Sequence, residues 1–394
     1  METGLVLLDK LHHSHKIILI MIGRISTQNL HYNAKPVAPP TDFLISTLVN
    51  SSSLFYLSNT FSYIDLQPYF NISITNSNEI FRNNNDLYIT GNFGTQSYIF
   101  KLKDCKLIKN RLLFQGVEEK SIGGYITYIH GMTLLDDHIY LSSRAPGSPP
   151  MTIAKINSNN LEDITTLNLS MNGGTNDIIG YKNNLYVLAA PSSTSPASFI
   201  RISPDLATYS VLCVTGTSSS PSRRVRITSA FSIYNDEIYI PIANNTSGGS
   251  GNNQIGMQVF NLSGVLQRSI YNVPINSTAS LVPLPHWMAF YKNKLIISNA
   301  TMTGTSSHRS LVRMDPTTLA VEESIQVPFL VTDDNSIFSD DYIYLNGELP
   351  SSYSLVPPVP GLAKIRYDNF TDFTIPISPI GPSGSYGSIN PLVV

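Results

Sequence analysis

The sequence predicts an all-β protein built from a repeated four-stranded unit. Three observations support this fold class. Short runs of β-branched and aromatic residues recur along the chain, turn-forming Asn, Asp, Gly and Pro separate them, and helical periodicity is nearly absent. The runs also repeat as a group, at intervals of 46 to 57 residues. A period of this size with strand-like runs is typical of the blades of a β-propeller.

The first repeated element is a polar turn followed by an apolar-Tyr-apolar strand. In the first copy the turn is Asn84-Asn85 and the strand is Leu87-Tyr88-Ile89. Asn and Asp tolerate the backbone of a tight turn, so each copy predicts a hairpin. The six copies are centred on Tyr88, Tyr140, Tyr186, Tyr239, Ile296 and Tyr344.

The second repeated element is a short apolar strand that carries one basic residue in most copies. Its six copies are Ile99–Leu102, Ile153–Ile156, Phe199–Ile202, Met257–Phe260, Leu311–Met314 and Leu362–Ile365. A turn and a further strand follow most copies, as in Asp315–Leu319 leading to Ile325–Val327. An innermost strand precedes the polar turn, as in Ser229–Tyr234 and Met288–Tyr291. Each repeat therefore predicts four strands.

This layout resembles the quinoprotein or YVTN-type propellers. The resemblance covers residues 50–390 and is carried by strands such as Leu185-Tyr186-Val187 and by the turn Asp315–Leu319. Its motifs are degenerate, so it implies a fold and no particular activity. Kelch-like elements, Gly123-Gly124-Tyr125 and Gly173-Gly174, occur without the downstream Trp of that family.

The two ends of the chain predict the closure of the ring. We expect residues 1–45 to form an extended arm, with a polyproline II linker at Lys35–Pro40, and residues 46–394 to form the propeller. Leu54–Ser58 and Ser62–Leu66 resemble two middle strands, and Gly384–Ile389 lies where an innermost strand is due. Together they predict a seventh blade without a free edge, with six blades as the alternative.

Composition limits the partners. Only 13% of the residues are charged and the net charge is −2, which predicts binding to neither nucleic acid nor anionic lipid. The apolar run Ile17–Ile22 is too short to span a membrane. Solubility comes instead from Asn, Ser and Thr, a composition common on virion, extracellular and cell-surface proteins. We expect that location, with the N-terminal arm binding other virion or surface proteins.

Connection lengths predict a binding face. In an up-and-down blade the second connection and the crossover to the next blade lie at the same end of the sheet. Both are long here, as in Arg144–Pro150, Ala190–Ser198, Asn244–Gln254, Asn299–Arg309, Gly347–Gly361 and the crossover Thr215–Arg224. Long loops on a rigid frame commonly carry recognition, although they also serve as plain connectors. Candidate contact residues on this face are Arg144, Arg223, Arg224, His286, Trp287 and His308.

Trp287 is the single tryptophan, and we expect it to open an innermost strand. It would then border the mouth of the central channel or pack in the core.

The sequence predicts no catalytic residue, metal or cofactor. Asp136-Asp137 and Asp340-Asp341 occupy the recurring turn, whereas Asp333-Asp334 is the pair that a glycosidase alternative would use. The His12-His13-x-His15 cluster lies in the arm without a second ligand group, and no phosphate loop or nucleophile elbow occurs.

The resulting hypothesis is a non-enzymatic binding or structural propeller. It would belong to a virion, as a phage tail or fibre-associated protein, or to a surface, and would recognise proteins, a host glycan or a receptor. The alternatives are a secreted carbohydrate-active enzyme and a lectin that use the same face.

Overall fold

The computed structural model describes residues 43–47, 54–58, 63–65, 71, 76–93, 96–108, 111–126, 129–143, 151–169, 174–190, 197–215, 223–227, 231–246, 254–273, 283–301, 308–327, 336–338, 341–348, 360–374 and 392–393. Within these ranges the chain forms strands and turns and contains no helix. The same ranges therefore hold no helix with the length and hydrophobicity of a membrane span.

Seven sheets of four or five strands account for nearly all of this structure, and every pairing is antiparallel. The terminal sheet contains β1 (Phe43–Thr47), β2 (Leu54–Ser58), β3 (Tyr63–Asp65) and, from the other end of the chain, β31 (Leu392–Val393). Sheet I contains β4 (Asn76–Asn83), β5 (Asp86–Phe93), β6 (Gln96–Lys103) and β9 (Gly116–Ser121), and the hairpin β7 (Lys106–Ile108) with β8 (Arg111–Leu113) is inserted before β9.

The next five sheets follow in chain order, and all except sheet IV pair their strands in sequence order. Sheet II contains β10 (Ile129–Leu135), β11 (His138–Ser143), β12 (Met151–Asn157) and β13 (Thr165–Leu169). Sheet III contains β14 (Gly174–Tyr181), β15 (Asn184–Ala190), β16 (Ala197–Ile202) and β17 (Tyr209–Thr215). Sheet IV contains β18 (Arg223–Ile227), β19 (Ser232–Tyr234), β20 (Glu237–Thr246), β21 (Gln254–Asn261) and β22 (Leu266–Val273), with β18 and β19 both paired to β20.

The last two sheets of this series have the same strand order. Sheet V contains β23 (Pro283–Tyr291), β24 (Lys294–Thr301), β25 (His308–Met314) and β26 (Val321–Val327). Sheet VI contains β27 (Ser336–Phe338), β28 (Tyr342–Glu348), β29 (Pro360–Arg366) and β30 (Phe373–Thr374). The predicted Tyr strands and basic strands are confirmed as the second and third strands of sheets I to VI.

The terminal sheet combines the two ends of the chain, although its strands differ from those predicted. Leu44 pairs with Val393 and Ile45 pairs with Leu392, so the C-terminal strand is 392–393. The predicted strand 384–389 lies outside the described residues. An unpredicted strand, β1, lies between β31 and β2. This makes β2 the third strand counted from β31. Because β1 begins at Phe43, the expected boundary at residue 45 falls inside a strand.

The recurring polar turns have the backbone that a right-twisted hairpin requires. Both central residues have positive φ in three of them: 45° and 55° at Lys182-Asn183, 48° and 64° at Asn235-Asp236, and 48° and 60° at Lys292-Asn293. Two-residue turns with this conformation match the twist of the strands that they join, and Asn and Asp enter it at little cost.

Apolar side chains from successive sheets pack against one another. One cluster joins Tyr88 of sheet I to Met132 of sheet II, another joins Tyr140 of sheet II to Val187 of sheet III, and others join sheets III and IV, and IV and V. The central Tyr of four Tyr strands is at most 2% exposed. Burying these rings between two sheets stabilises the contact of each sheet with the next.

Candidate recognition site

The two ends of each sheet differ in the connections that they carry. The links between first and second strands and between third and fourth strands lie at one end, which we call the turn face. The links between second and third strands and the crossovers between sheets lie at the other end, the loop face. In sheets II to VI the second-to-third links are residues 144–150, 191–196, 247–253, 302–307 and 349–359, whereas sheet I uses only 94–95.

Hydrogen bonds between sheets hold the turn faces of sheets I, II and III on a common side. The Tyr88 hydroxyl donates to the Ser158 carbonyl at 2.8 Å, and Lys101 Nζ donates to the same carbonyl at 3.0 Å. The Tyr140 hydroxyl donates to the Pro204 carbonyl at 2.7 Å. Both carbonyls belong to the turn between third and fourth strands of the next sheet. The Tyr strand and the basic strand thus fix each sheet to its neighbour.

Sheet IV reaches the same arrangement with a different cation. Its third strand carries Gln258 where the other copies have Lys or Arg, and Arg268 of the fourth strand replaces it. The Arg268 guanidinium donates to the Glu237 carboxylate at 2.6 and 2.7 Å and to the Pro316 carbonyl of sheet V at 2.8 Å. The Tyr239 hydroxyl donates to Glu237 at 2.9 Å, and the bonds from Arg268 hold the pKa of the Glu237 carboxyl below its usual value.

Direct contacts between turns complete this frame. The Tyr181 hydroxyl of sheet III donates to Asp236 of sheet IV at 2.9 Å, and burial, with this bond, raises the pKa of Tyr181 to about 12. The Tyr234 hydroxyl of sheet IV donates to Asn293 of sheet V at 2.8 Å. Sheets I to V therefore lie side by side, held by contacts at their turns.

Charge is concentrated on the turn face. Its ion pairs include Lys101–Asp86 at 3.1 Å and Lys294–Asp315 at 3.2 Å. The links of the loop face have a different chemistry in sequence, because Arg144 is the single Asp, Glu, Lys or Arg in the six second-to-third links. Ser, Thr, Asn, Gly and Pro make up most of the rest. The loop face thus offers mainly neutral hydrogen-bonding groups.

An aromatic cluster lies on the loop face of sheet I. Phe93 is 48% exposed at the last position of β5, where it pairs with the exposed Gln96. Two rungs further in, Tyr98 pairs with Gly91 and projects on the same side, because alternate rungs share a side. The Tyr98 hydroxyl donates to Gln96 Oε1 at 2.9 Å, and its ring stacks on Phe100 at 6.1 Å between centroids. The Tyr98 side chain is therefore held from both ends.

The crossover to sheet II brings a second exposed ring to this hairpin. The Ile122 amide donates to the Ser97 carbonyl at 2.8 Å, which holds the crossover against β6. A Cβ on Gly123 would lie 3.2 Å from the Cα of Gln96, so the close approach favours glycine. Tyr125 follows two residues later and is 50% exposed. We call Phe93, Gln96, Tyr98 and Tyr125 the aromatic platform.

The structure places the backbone of three predicted contact residues at the loop-face ends of strands. Arg223 and Arg224 begin β18 opposite Thr246 and Asn245, and His308 begins β25 opposite Thr301. Arg144 lies outside the described residues, as do Asp333, Asp334 and the His12 to His15 cluster.

The expected position of Trp287 is wrong. It does not open an innermost strand, because β23 begins at Pro283 and Trp287 pairs with Ser298 within it. The bulge between Pro285 and Trp287 leaves His286 as the extra residue of the strand. The strand begins earlier than predicted because Pro283 and Pro285 lie at its start, and proline normally counts against a strand interior.

The aromatic platform was missed by sequence reasoning. Gly123-Gly124-Tyr125 was noted only as an incomplete Kelch element, and Phe93 resembled the end of an ordinary core strand. The available signal was the two-residue link at 94–95, which is much shorter than its counterparts. A short link leaves a terminal aromatic side chain without a loop of its own to cover it.

The described carboxyl groups are arranged for structure. Every resolved shift among them lowers the pKa: the Ser203 hydroxyl acts on Asp205, the Thr318 amide on Asp315, and Arg366 on Asp368. These carboxylates stay ionised, which does not suit a general acid. Within the described ranges no three His, Cys, Asp or Glu side chains form a cluster able to hold a metal ion.

Comparison with known proteins supports the fold. No protein-family model matches the sequence, and no curated protein matches it. The chain is similar in structure to the dihydro-heme d1 dehydrogenase NirN, with a TM-score of 0.52, 10% identity, and coverage of 89% of this chain and 67% of that chain. Two further similar structures are the nidogen/laminin complex (TM-score 0.41, 12% identity, 72% and 92% coverage) and the phage phi92 endosialidase (TM-score 0.40, 9% identity, 67% and 65% coverage).

NirN is a β-propeller protein, and at 10% identity the likeness is one of fold. Propellers carry unrelated functions, so function has to be argued from the site. The chain is an all-β protein of the β-propeller type.

Proposed function

We propose that this chain is a non-enzymatic recognition propeller that binds glycan through its loop face. The proposal includes a ring of seven blades, six from sheets I to VI and one from the terminal sheet. The observation that carries the function is the aromatic platform, because Phe93 and Tyr125 leave about half of each ring exposed on a face with few charged residues.

The chemistry of the loop face matches that of a sugar. Ser, Thr and Asn side chains supply hydroxyl and amide groups that donate and accept hydrogen bonds. Aromatic rings supply flat apolar surfaces with a negative face, against which the C–H side of a sugar ring packs. A rigid frame with variable links at one end is a common arrangement for recognition.

The proposed location is a virion or a cell surface, with the protein acting as a phage tail, fibre-associated or surface component. The support is compositional: 13% charged residues and a surface rich in Asn, Ser and Thr. Residues 1–45 would bind a neighbouring component. Particles or cell envelopes carrying a chain without residues 1–40, which leaves β1 intact, should lose it on washing, while equal retention of this chain and the full chain would contradict the anchoring.

A glycan array tests the function directly. The full chain, labelled with a fluorophore, is applied to an array that holds neutral and anionic oligosaccharides. We expect saturable binding to a restricted set, and mass spectrometry of the bound sugars should show them uncut. Absence of binding to every sugar overturns the proposal, and cleavage of a bound sugar replaces it with the carbohydrate-active enzyme, for which Asp333→Asn and Asp334→Asn are the first variants to assay.

A cross-link tests the seventh blade. Leu44 and Val393 pair across β1 and β31, and cross-strand partners lie within the reach of a disulfide. Leu44→Cys with Val393→Cys, in a chain carrying Cys105→Ala and Cys213→Ala, should form an intramolecular disulfide on mild oxidation. A chain that stays fully reduced would contradict the closed ring and favour six blades.

A further inference from the structure

We propose that the aromatic platform is the ligand site and that its ligand class is an uncharged oligosaccharide. This inference rests on the proposed function and deepens it, by naming the residues that contact the sugar and the charge of the sugar. It differs from the face as predicted from sequence, which placed the contacts on Arg144, Arg223, Arg224, His286, Trp287 and His308.

The geometry of the platform suits stacking. Phe93 and Tyr98 project on the same side of the β5–β6 hairpin, and the crossover that carries Tyr125 is held against the hairpin at Gln96 and Ser97. Exposed aromatic side chains of the hairpin and of the crossover therefore lie at the same end of sheet I. Their side chains are partly fixed before binding, since Tyr98 is hydrogen-bonded and stacked, which lowers the entropy cost of binding.

The polar groups of the platform can orient a bound ligand. The bond from the Tyr98 hydroxyl uses Gln96 Oε1 as its acceptor. The amide nitrogen of the exposed Gln96 keeps two N–H donors for hydroxyl groups of a ligand. Stacking rings alone bind any flat apolar surface, whereas rings beside an oriented amide favour a ring that carries hydroxyl groups.

The charge around the platform selects a neutral ligand. Residues 87–100 and 121–126, which form the hairpin and the crossover, contain no Asp, Glu, Lys or Arg. Lys101, the next basic residue along the hairpin, is 5% exposed and committed to Asp86 and to the Ser158 carbonyl. Lys120, which precedes the crossover and pairs with Ile99, forms an ion pair with Glu162. An anionic sugar would therefore find no uncommitted cation among these described residues to offset the loss of its hydration.

The experiment measures affinity for the array glycan that binds best and for a series of neutral hexasaccharides, cellohexaose, xylohexaose and mannohexaose. Phe93→Ala and Tyr125→Ala each remove one ring and should weaken binding about tenfold, with a larger loss in the double variant. Tyr98→Phe keeps the ring but removes the hydroxyl that holds Gln96, so it should weaken binding by about threefold, less than the loss of a ring.

The matched control is Tyr209→Ala, which removes a ring that is 42% exposed on β17, away from the platform. It should leave affinity unchanged. Raising the salt concentration from about 0.05 M to about 0.5 M should also leave affinity unchanged, because a neutral ligand has no charge to screen.

The outcomes separate this inference from the proposed function. Glycan binding that survives Phe93→Ala with Tyr125→Ala overturns the platform and leaves the recognition function standing. Binding confined to anionic sugars and weakened by salt overturns the neutral class in the same way. A chain that binds no sugar overturns both.

Discussion

The turn face and the loop face belong to the same strands, yet they are built from different chemistry. On the turn face, side chains of one sheet bind the backbone of the next: Arg268 donates to the Pro316 carbonyl, while the Glu237 carboxylate accepts from Arg268 and from the Tyr239 hydroxyl. On the loop face of sheet I, by contrast, Phe93 and Tyr125 are half exposed. Charged and buried groups fix the position of the sheets, while neutral and exposed groups remain for contact with another molecule.

The two faces should differ in how much sequence change they tolerate. A link on the turn face must keep a carbonyl at a set distance from a Tyr or a cation of the preceding sheet. The second-to-third links on the loop face vary in length, from two residues at 94–95 to eleven at 349–359. A fixed turn face with links of variable length at the opposite end is an arrangement that recognition proteins commonly use.

The largest effect on stability is expected at Gly264, in the turn that contacts sheet III. Its φ is +80°, and a Cβ there would overlap the carbonyl of Leu212. Gly264→Ala should therefore lower the free energy of unfolding by about 3 kcal/mol, from the strained backbone and the displaced sheet together. Urea unfolding measures this. Gly116→Ala, where a Cβ would meet nothing within 4 Å, is the matched control and should cost about 1 kcal/mol or less.

The second-largest loss of stability is expected at a partly buried ion pair, and an exposed ion pair serves as its comparison. Arg268→Ala leaves Glu237 and the Pro316 carbonyl without their donor and should cost about 2 kcal/mol. Arg366→Ala removes an equally short pair with Asp368, but both of its side chains are about half exposed, so it should cost much less than Arg268→Ala. Equal losses for the two variants would mean that the contact between sheets IV and V adds nothing.

Tyr140 makes the turn face sensitive to alkali. Burial, and then the charge of Asp136, raise its pKa from 10.0 to about 12. The folded chain keeps this proton to higher pH than the unfolded chain, so the stabilisation is complete below pH 10.0 and is lost as the pH rises through about 12.

Tyr140→Phe should cost about 1 kcal/mol near neutral pH, through its lost bond to the Pro204 carbonyl. The variant should also destabilise less steeply than the unchanged chain above pH 10.0. Urea unfolding across this range checks both expectations, and parallel curves would show that Tyr140 does not contribute to the alkaline loss.

The smallest effect on stability is expected on the loop face. Phe93→Ala and Tyr125→Ala should each change the free energy of unfolding by no more than about 0.5 kcal/mol, because about half of each ring is already in water. Thermal unfolding with circular dichroism measures this. A loss as large as that of Arg268→Ala would identify the rings as part of the frame, contrary to their proposed role as ligand contacts.

Much of the fold was predictable because it depends on local signals. Asn-rich and Asp-rich turns mark the hairpins, and Tyr and basic residues recur at fixed places in the second and third strands, since both bind the next sheet. The strand β31 was not predictable, because two residues carry too little pattern. The exchange of the basic residue for Gln258 also hid Arg268, whose role depends on its pairing across the sheet with Val259.

The candidate site was less predictable than the fold. Connection lengths predicted the loop face as the binding face, but the residues singled out on it were charged or rare ones. Phe93 and Tyr125 are common residue types in a strand and a crossover, and only their exposure distinguishes them from core aromatic residues such as Phe100. Exposure depends on what the neighbouring links leave uncovered, which is a property of the assembled sheets.

Hydrogen–deuterium exchange with and without the best array glycan tests the division between the two faces most directly. Bound sugar should slow exchange in peptides that cover residues 91–98 and 122–126 and leave the turns at 158–164, 203–208 and 315–320 unchanged. Protection confined to those turns, with none at the hairpin tip of sheet I, would contradict the account.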